Sequence, residues 1–340
     1  MTNTSLISKD KQKKVFKPFL LRPVGKDYLW GGNRLNDDFS KGINMEPLAE
    51  TWECSTHPDG TNIVASGEFA GMLLTEVLKS NPEFIGTHPR TKDGIPILIK
   101  FIDAKKDLSV QVHPDDRYAE VHENGQLGKT EMWYVLDAAK DARLYWGLHH
   151  EMNQVSIKKC IREGTFERYL QKISVKPGDV FYVEAGTIHA IGAGILIVEI
   201  QESSNLTYRL YDYDRVDKDG KKRELHIEKA LAVANLNGVK EPVQPMRVLN
   251  YKPGWASELL CRCKNFQVER VLINTERQRK MVDYKTSGLS FQVLLCLNGC
   301  GTLFFGEEAI LFFKGDCIFI PANSVDIKIH GRAQLLNIRS

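Results

Sequence analysis

A short pattern occurs twice in the chain, once at 178–189 and once at 315–326. Each copy begins with Gly-Asp, continues with a short apolar run and reaches an alanine at the same offset. Gly-Asp is typical of a tight turn, and the run that follows predicts a short buried strand. The repetition therefore predicts two copies of one barrel-like unit.

The rest of the chain is typical of a mainly β protein. Short runs rich in Val, Ile, Phe and Tyr are separated by Gly, Pro, Asn and Asp, which predicts strands joined by turns. The clearest runs are 95–102, 132–136, 180–183, 194–200, 291–295 and 317–320. Helical spacing of apolar residues is rarer and predicts helices over 69–81, 153–169 and 225–236.

The length of 340 residues is enough for two compact units, each with its own core. A proline-rich stretch near 242–253 lies between the two copies of the pattern. We therefore expect an N-terminal region and first barrel at 1–241 and a second barrel at 242–340. His189 in the first copy aligns with Asp326 in the second. This predicts a metal site in the first barrel and a structural role for the second.

Composition indicates which kinds of partner and which cellular compartment to expect. The chain has 46 Lys and Arg against 43 Asp and Glu, which argues against nucleic-acid binding. The polar N-terminus and the lack of a long apolar run predict a cytoplasmic protein with no membrane partner. Seven cysteines in no paired framework indicate reduced thiols, although Cys261 and Cys263 leave a metal clip open.

Polar residues in otherwise apolar strands are the candidates for a functional site. Alternation over 108–113 places Ser109, Gln111 and His113 on one face of a strand. On alternation alone, that face is expected to meet solvent rather than line a cavity. Glu131 and His189, in contrast, stand in apolar surroundings, where an unpaired carboxylate is costly.

Two histidines and one glutamate from three strands are a common ligand set for zinc or ferrous iron. Each of these residues, taken alone, has an ordinary structural explanation: a hydrogen-bonded core histidine or a solvated carboxylate. The spacing alone leaves the choice between a metal site and these explanations open.

Longer motifs carry a resemblance to a known family. The segments 97–116 (ILIKFIDAKKDLSVQVHPDD), 128–134 (GKTEMWY), 186–192 (GTIHAIG) and 208–215 (YRLYDYDR) resemble the short bacterial form of the type I mannose-6-phosphate isomerases. The resemblance extends from near Leu29 to the C-terminal unit. It implies two cupin-like (jelly-roll) barrels with a few helices, and one zinc ion bound by Gln111, His113, Glu131 and His189.

The resemblance also implies a reaction. Members of the family interconvert D-mannose 6-phosphate and D-fructose 6-phosphate by proton transfer through an enediol or enediolate. Arg209 falls at the position of the family's catalytic arginine, where its permanent charge and forked donors suit an enediolate. Lys100, Ser109 and Lys129 match positions near the substrate. The proton-transfer base is not assigned by the sequence.

The roles of two arginines, Arg209 and Arg215, stay open at this point. Arg215 is a candidate for one more positive charge at the site. Arg209, on the other hand, has Asp212 and Asp214 nearby in sequence as possible surface partners.

Two positions depart from the family pattern. Asn205 stands where an acidic residue is expected, and Glu184 stands where a proline is expected. Two alternative functions therefore stay open: a different metal-dependent cupin enzyme, such as an iron-dependent oxygenase, and a non-catalytic sugar-phosphate-binding protein. For the isomerase, the expected partner is the small sugar-phosphate substrate, and the expected state is a monomer or weak homo-oligomer.

Overall fold

The computed structural model describes residues 15–88, 94–216, 219–277 and 280–340. The predicted fold class is confirmed, because strands dominate and helices are few. The strands are β1 (Phe19–Arg22), β2 (Val24–Lys26), β3 (Glu50–Cys54), β4 (Ile63–Val64), β5 (Ile97–Ala104), β6 (Val110–Val112), β7 (Glu131–Ala138), β8 (Arg143–Leu148), β9 (Leu170–Ser174), β10 (Val180–Val183), β11 (His189–Ile191), β12 (Ile195–Glu202), β13 (Tyr208–Tyr211), β14 (Leu249–Lys252), β15 (Trp255–Arg262), β16 (Gln267–Asn274), β17 (Val282–Tyr284), β18 (Gln292–Phe305), β19 (Glu308–Phe313), β20 (Cys317–Ile320) and β21 (Ile327–Arg339).

The three predicted helices are confirmed in shorter form. The helices are α1 (Arg34–Phe39), α2 (Leu74–Ser80), α3 (Asp116–His122), α4 (Gln154–Arg162) and α5 (Ile227–Val233). The helix predicted from residue 69 begins later because Gly71, with φ of 91°, lies in a turn that precedes α2. Among the described residues, no helix is long and apolar enough to cross a membrane.

Two antiparallel sheets form the first barrel. One has six strands in the order β10-β7-β12-β5-β3-β2, and the other has five in the order β13-β6-β11-β8-β9. Their facing surfaces share a buried apolar core. That core includes Ile102, Trp133, Val135 and Ile197 from the first sheet, and Leu144, Trp146 and Ile191 from the second.

Both outer faces of this barrel are also covered. The six-stranded sheet packs its second face on the C-terminal sheet, where Ile99 and Phe101 share a core with Phe291. The five-stranded sheet packs its second face on α4 and α5, through residues such as Val110 and Ile157. Strands buried on both faces are expected to be apolar throughout, so polar side chains pointing into this barrel are the exception.

The C-terminal unit is a ten-stranded sheet in which β14, β15, β16, β21, β18, β20, β1 and β4 follow one another, with β17 and β19 added at its side. The N-terminal strand β1 pairs with β20, and Leu20 faces Ile318. Backbone hydrogen bonds therefore join residues on the two sides of the boundary expected at 241/242. The domain boundary itself stays a prediction. A separate apolar core fills this second unit, with Phe312 and Ile329 among its members.

The repeated Gly-Asp pattern forms the same structure in both units. Gly178 and Gly315 have φ of 91° and 97°, a region that favours glycine. The Asp179 carboxylate accepts a hydrogen bond from a backbone N–H three residues earlier at 2.9 Å, and Asp316 does the same at 2.8 Å. Downstream the copies differ, because His189 is buried whereas Asp326 is exposed and pairs with Lys285 at 2.9 Å.

Candidate metal centre and active site

Three predicted ligands, His113, Glu131 and His189, meet inside the first barrel. One potential ligand atom of each lies within 4.8 Å of the others. His113 Nε2 is 3.1 Å from Glu131 Oε1, and His189 Nε2 is 3.7 Å from Glu131 Oε2. The exposed fractions of the three residues are 1%, 0% and 1%, respectively. The structure therefore brings together two imidazoles and a carboxylate, the combination that the sequence suggested.

Strand alternation explains why these side chains point inward. On β7, Met132 and Tyr134 pack against the C-terminal sheet, so Glu131 and Trp133 face the barrel interior. On the opposite sheet, His189 is paired directly with Gln111 of β6. Paired residues of antiparallel strands share a face, so Gln111 lies beside the histidine.

The histidine tautomers leave nitrogen lone pairs directed at this cluster. His113 Nδ1 donates to the Leu206 carbonyl at 2.8 Å, and His189 Nδ1 donates to the Thr187 carbonyl at 2.9 Å. Because a carbonyl only accepts, each Nδ1 carries the proton and each Nε2 has the lone pair that could bind a metal. Lys129 Nζ lies 3.4 Å from His113 Nε2. His189 Nε2 and Glu131 Oε2 are buried without hydrogen-bond partners. Such orphaned atoms are costly, and a divalent cation would satisfy them.

The electrostatics of the cluster match metal binding. Burial, together with the charge of Lys129, lowers the pKa of His113 to about 3, and burial lowers the pKa of His189 as well. Both imidazoles are therefore neutral near pH 7, as ligands must be. Burial opposes ionisation of Glu131, but the Lys129 charge 2.7 Å away outweighs it and holds the pKa of Glu131 well below its usual value.

A cavity of about 220 Å³ adjoins the cluster. Gln111 and Lys129 line this cavity, and Lys129 Nζ also lies 2.7 Å from Glu131 Oε1. The lining consists of Tyr28, Trp30, Glu50, Lys100, Ile102, Leu108, Ser109, Gln111, Lys129, Ile191, Glu199, Asn205, Thr207, Arg209 and Arg223. All four residues predicted to contact substrate or act in catalysis are in this lining. Ser109 and Gln111 of the predicted polar face line this cavity. The solvent interpretation was wrong, because this face points into the barrel towards the six-stranded sheet while α5 covers the other face of β6.

Lys100 is fixed in the cavity wall by two carboxylates. Its Nζ lies 3.1 Å from Glu199 Oε1 and 3.7 Å from Glu50 Oε2. Trp133 Nε1 donates to Glu199 at 2.9 Å, and Trp52 Nε1 donates to Glu50 at 2.8 Å. Burial favours the neutral amine of Lys100, but the carboxylates outweigh it and raise its pKa. The lysine is therefore a buried, positively charged group at the cavity.

Arg209 lies on β13, where it is paired with Gln111 of the neighbouring strand β6. Its Nε donates to Ser109 Oγ at 3.3 Å, and its Nη1 donates to the Glu224 carbonyl at 2.9 Å. Within the described ranges, no carboxylate lies within ion-pair distance of Arg209, so the alternative of a surface pair with Asp212 or Asp214 is not what the structure shows. The guanidinium faces the cavity with its charge unpaired and is available to an anion.

Asp212 instead binds two other arginines. Arg223 donates to it through Nε at 2.8 Å and through Nη2 at 2.6 Å, and Arg215 donates to the same carboxylate. Arg223 lines the cavity, whereas Arg215 is not in that lining and also donates to the Asp107 carbonyl. The candidate Arg215 therefore does not line the cavity, because Asp212 and the Asp107 carbonyl hold its guanidinium.

Sequence reasoning missed three charged residues of the cavity: Glu50, Glu199 and Arg223. A signal for Glu199 was present, because it interrupts the apolar run Ile195–Glu202 and a carboxylate there needs a partner. Glu50 similarly opens the fully buried strand Glu50–Cys54. No local pattern distinguishes Arg223 from the other basic residues of its charged segment.

The two departures from the family pattern lie in different places. Glu184 is exposed, and its carbonyl accepts from Thr187 N at 3.1 Å to close the turn that leads to His189. Asn205 lines the cavity, and its side-chain amide donates to Asp59 at 2.7 Å. Only the second departure reaches the cavity.

Comparisons with known proteins show the family to which the chain is related. The family described as phosphomannose isomerase type I, catalytic domain, matches residues 19–152, and the mannose-6-phosphate isomerase cupin domain matches residues 258–340. The chain is 36% identical to the mannose-6-phosphate isomerase ManA of Bacillus subtilis, over 94% of this chain and 98% of that protein.

Solved structures extend the likeness to three dimensions. A crystal structure of mannose 6-phosphate isomerase from Bacillus subtilis has a TM-score of 0.85 at 34% identity, covering 95% of this chain and 99% of that one. A mannose 6-phosphate isomerase structure described as holo and zinc bound has a TM-score of 0.74 at 15% identity, over 95% and 99% of the two chains, and shows a shared fold. Because identity extends over nearly the whole of the curated relative and of this chain, the protein belongs to the type I mannose-6-phosphate isomerase family.

Proposed function

We propose that this protein interconverts D-mannose 6-phosphate and D-fructose 6-phosphate, using one zinc ion held by Gln111, His113, Glu131 and His189. One observation carries the proposal. Buried ligand atoms without hydrogen-bond partners adjoin a cavity whose lining holds four basic residues. A metal and a phosphorylated ligand together account for both features.

The donor set favours zinc. Two imidazole nitrogens with one carboxylate are typical of catalytic zinc sites, and the Gln111 amide oxygen adds a neutral fourth donor. A structure with the same fold was solved with zinc bound, which is compatible with this choice. When bound, zinc supplies a Lewis acid that polarises sugar oxygens without a redox step.

The reaction moves one proton between C1 and C2 of the open-chain sugar, and negative charge develops on the oxygens of the enediolate. Arg209 stabilises that charge, since its guanidinium faces the cavity and has no carboxylate partner among the described residues. Ser109 Oγ accepts a hydrogen bond from Arg209 Nε and so orients the guanidinium in the cavity wall.

The substrate phosphate requires fixed positive charge. Lys100, Ser109 and Lys129 are the proposed contacts, and all three line the same cavity. Lys100 is held by Glu50 and Glu199, and Lys129 by Glu131, so both ammonium groups are already positioned before a ligand arrives. Arg223 adds positive charge to the lining.

The two alternative functions explain fewer of these observations. An iron-dependent oxygenase has no general need for the cations that line this cavity. A sugar-phosphate-binding protein without catalysis has no need for buried, unpartnered ligand atoms beside the binding cavity. The domain division at 241/242, the cytoplasmic location and the monomeric or weakly associating state stay predictions.

A coupled assay tests the proposed reaction. Purified protein with zinc is given mannose 6-phosphate, and fructose 6-phosphate is measured as it forms; unphosphorylated mannose serves as the matched substrate control. Turnover of the phosphorylated sugar alone is the expected result. Tight binding of mannose 6-phosphate without any turnover would favour the non-catalytic alternative, and oxygen consumption with bound iron would favour the oxygenase.

A further inference from the structure

Asn205 lies between two cavities. It lines the 220 Å³ cavity described above, and it also lines an outer cavity of about 770 Å³. Residues 56–59, 94–96, 125–127 and 203–206 form the outer cavity. Asn205 is the one residue common to both linings. It therefore stands at the rim of the proposed substrate site.

A side-chain hydrogen bond joins this rim to a distant loop. Asn205 Nδ2 donates to Asp59 Oδ2 at 2.7 Å, and the Asp59 side chain is about half exposed, at 52%. A hydrogen bond from an amide to a carboxylate is charge-assisted and stronger than a neutral one. An acidic residue at position 205, which the family pattern leads us to expect, would instead place two carboxylates against each other.

The turn that carries Asp59 packs on Trp52, which in turn contacts Lys100 of the inner cavity. Lys26 Nζ donates to the Asp59 carbonyl at 2.5 Å. A Cβ added to the neighbouring Gly60 would lie 2.8 Å from the Trp52 ring, so this turn packs closely on the indole. The same ring is 5.3 Å from Lys100 Nζ. A displacement of the turn therefore reaches Lys100 through one side chain.

We propose that the hydrogen bond between Asn205 and Asp59 locks residues 57–60 to residues 203–206 and so fixes the rim of the substrate cavity. Asn205 is in this sense a positioning residue that acts through Asp59. The kinetic part of the proposal rests on the proposed isomerase function. The structural part does not rest on that function, because it concerns only the contact between the side chains of Asn205 and Asp59.

Exchanging the two side chains tests the lock. Asn205→Asp opposes two carboxylates and is expected to raise KM about fivefold, with kcat within about twofold, because a charge-assisted hydrogen bond is lost. Asp59→Asn keeps a neutral hydrogen bond and is expected to have a small effect. The double variant, Asn205→Asp with Asp59→Asn, restores the bond in the opposite direction, and its KM is expected within about twofold of the starting value.

Hydrogen exchange of the substrate-free protein separates the lock from catalysis. The backbone amides of His57, Asp59 and Gly60 should exchange several-fold faster in Asn205→Asp and return to the original rate in the double variant. Asn250→Asp, which adds the same charge on the exposed strand β14, is the control and should change neither KM nor exchange.

Two results would overturn the lock. The first is unchanged exchange of residues 57–60 in Asn205→Asp. The second is a double variant whose KM equals that of Asn205→Asp, which would mean that Asn205 acts by touching substrate alone. Should Asn205→Asp fail to fold, alanine variants at 205 and 59 measure the same coupling: non-additive exchange rates support the lock, and additive rates refute it. Because exchange needs no turnover, the lock is tested even if the protein proves not to be an isomerase.

Discussion

Gln111 and His189 are direct partners across the antiparallel pair β6 and β11, and Arg209 pairs with Gln111 on its other side. Neighbouring strands are about 4.8 Å apart, so these three side chains form one row across the sheet. Glu131 reaches the row from the facing sheet. Strand register therefore places the proposed ligands and the proposed catalytic arginine side by side.

Loss of a ligand should remove metal and activity together. We expect His113→Ala and Glu131→Gln to copurify with little zinc and to lose at least about a hundredfold in kcat, because each removes a donor from the cluster. Metal analysis and the isomerase assay on the same preparations measure both effects. His149→Ala, at an exposed histidine of the same barrel, is the control and should keep both. Normal zinc content in Glu131→Gln would contradict its assignment as a ligand.

Arg209→Ala should separate metal binding from turnover. The guanidinium contacts Ser109 and the Glu224 carbonyl but no proposed ligand atom, so zinc content should stay normal. We expect kcat to fall about a hundredfold or more, as when a preorganised donor to a developing oxyanion is removed. Arg162→Ala, at an exposed position in α4, controls for loss of a positive charge. Full turnover in Arg209→Ala would refute the role given to this arginine.

Lys100→Met should lower the stability of the fold as well as the activity. The change leaves Glu50 and Glu199 buried without their common cation, and breaking such a buried pair costs about 3 kcal/mol or more. Denaturant unfolding of the zinc-free protein measures this free energy. The matched control is Lys285→Met, whose partner Asp326 is exposed, and it should change stability little. An unfolding free energy for Lys100→Met equal to that of the control would show that the carboxylates do not depend on Lys100.

Glu202 should make stability depend on pH. Burial, together with the Asp116 charge, raises its pKa from an ordinary value of 4.5 to about 7. A folded-state pKa above the unfolded value means that this stability is fully present below pH 4.5 and is lost as pH rises through about 7. Glu202→Gln should remove this loss, which is on the order of 2 kcal/mol between pH 5 and 8.

Denaturant unfolding at pH 5 and pH 8, with chelator present so that zinc does not contribute, measures the effect of Glu202. The exposed Glu163→Gln serves as the control and should keep the pH dependence of the unaltered protein. An identical pH dependence in Glu202→Gln and the control would contradict a perturbed Glu202.

The sequence predicted most elements and the residues that meet at the site, for physical reasons. Runs such as Ile195–Glu202 are buried on both faces, so their apolar character is continuous and easily recognised. Helix α4 was predictable because Asn153 caps it, accepting from Ser156 N at 2.8 Å, and Gly164 follows its end. Glu131 and His189 stood out because polar groups in such strands require partners.

Features that depend on distant contacts were not predictable. Helix α1 has only six residues and no side-chain cap, so its local signal is weak. The pairing of β1 with β20 joins the two ends of the chain, and alternation within a strand does not reveal its partner. Arg215 was named as a candidate and Arg223 was missed for the same reason, since Asp212 holds both and only Arg223 lines the cavity.

Zinc titration of the chelated protein tests whether isomerase activity depends on one zinc ion at the four proposed ligands. Isomerase activity toward mannose 6-phosphate is measured as zinc is added, with bound zinc determined at each step. We expect the zinc-free protein to be inactive. Its activity should rise in proportion to bound zinc and reach a plateau at one ion per chain, and Glu131→Gln should show no recovery. Full activity of the zinc-free protein, or equal recovery in Glu131→Gln, would contradict this dependence on zinc.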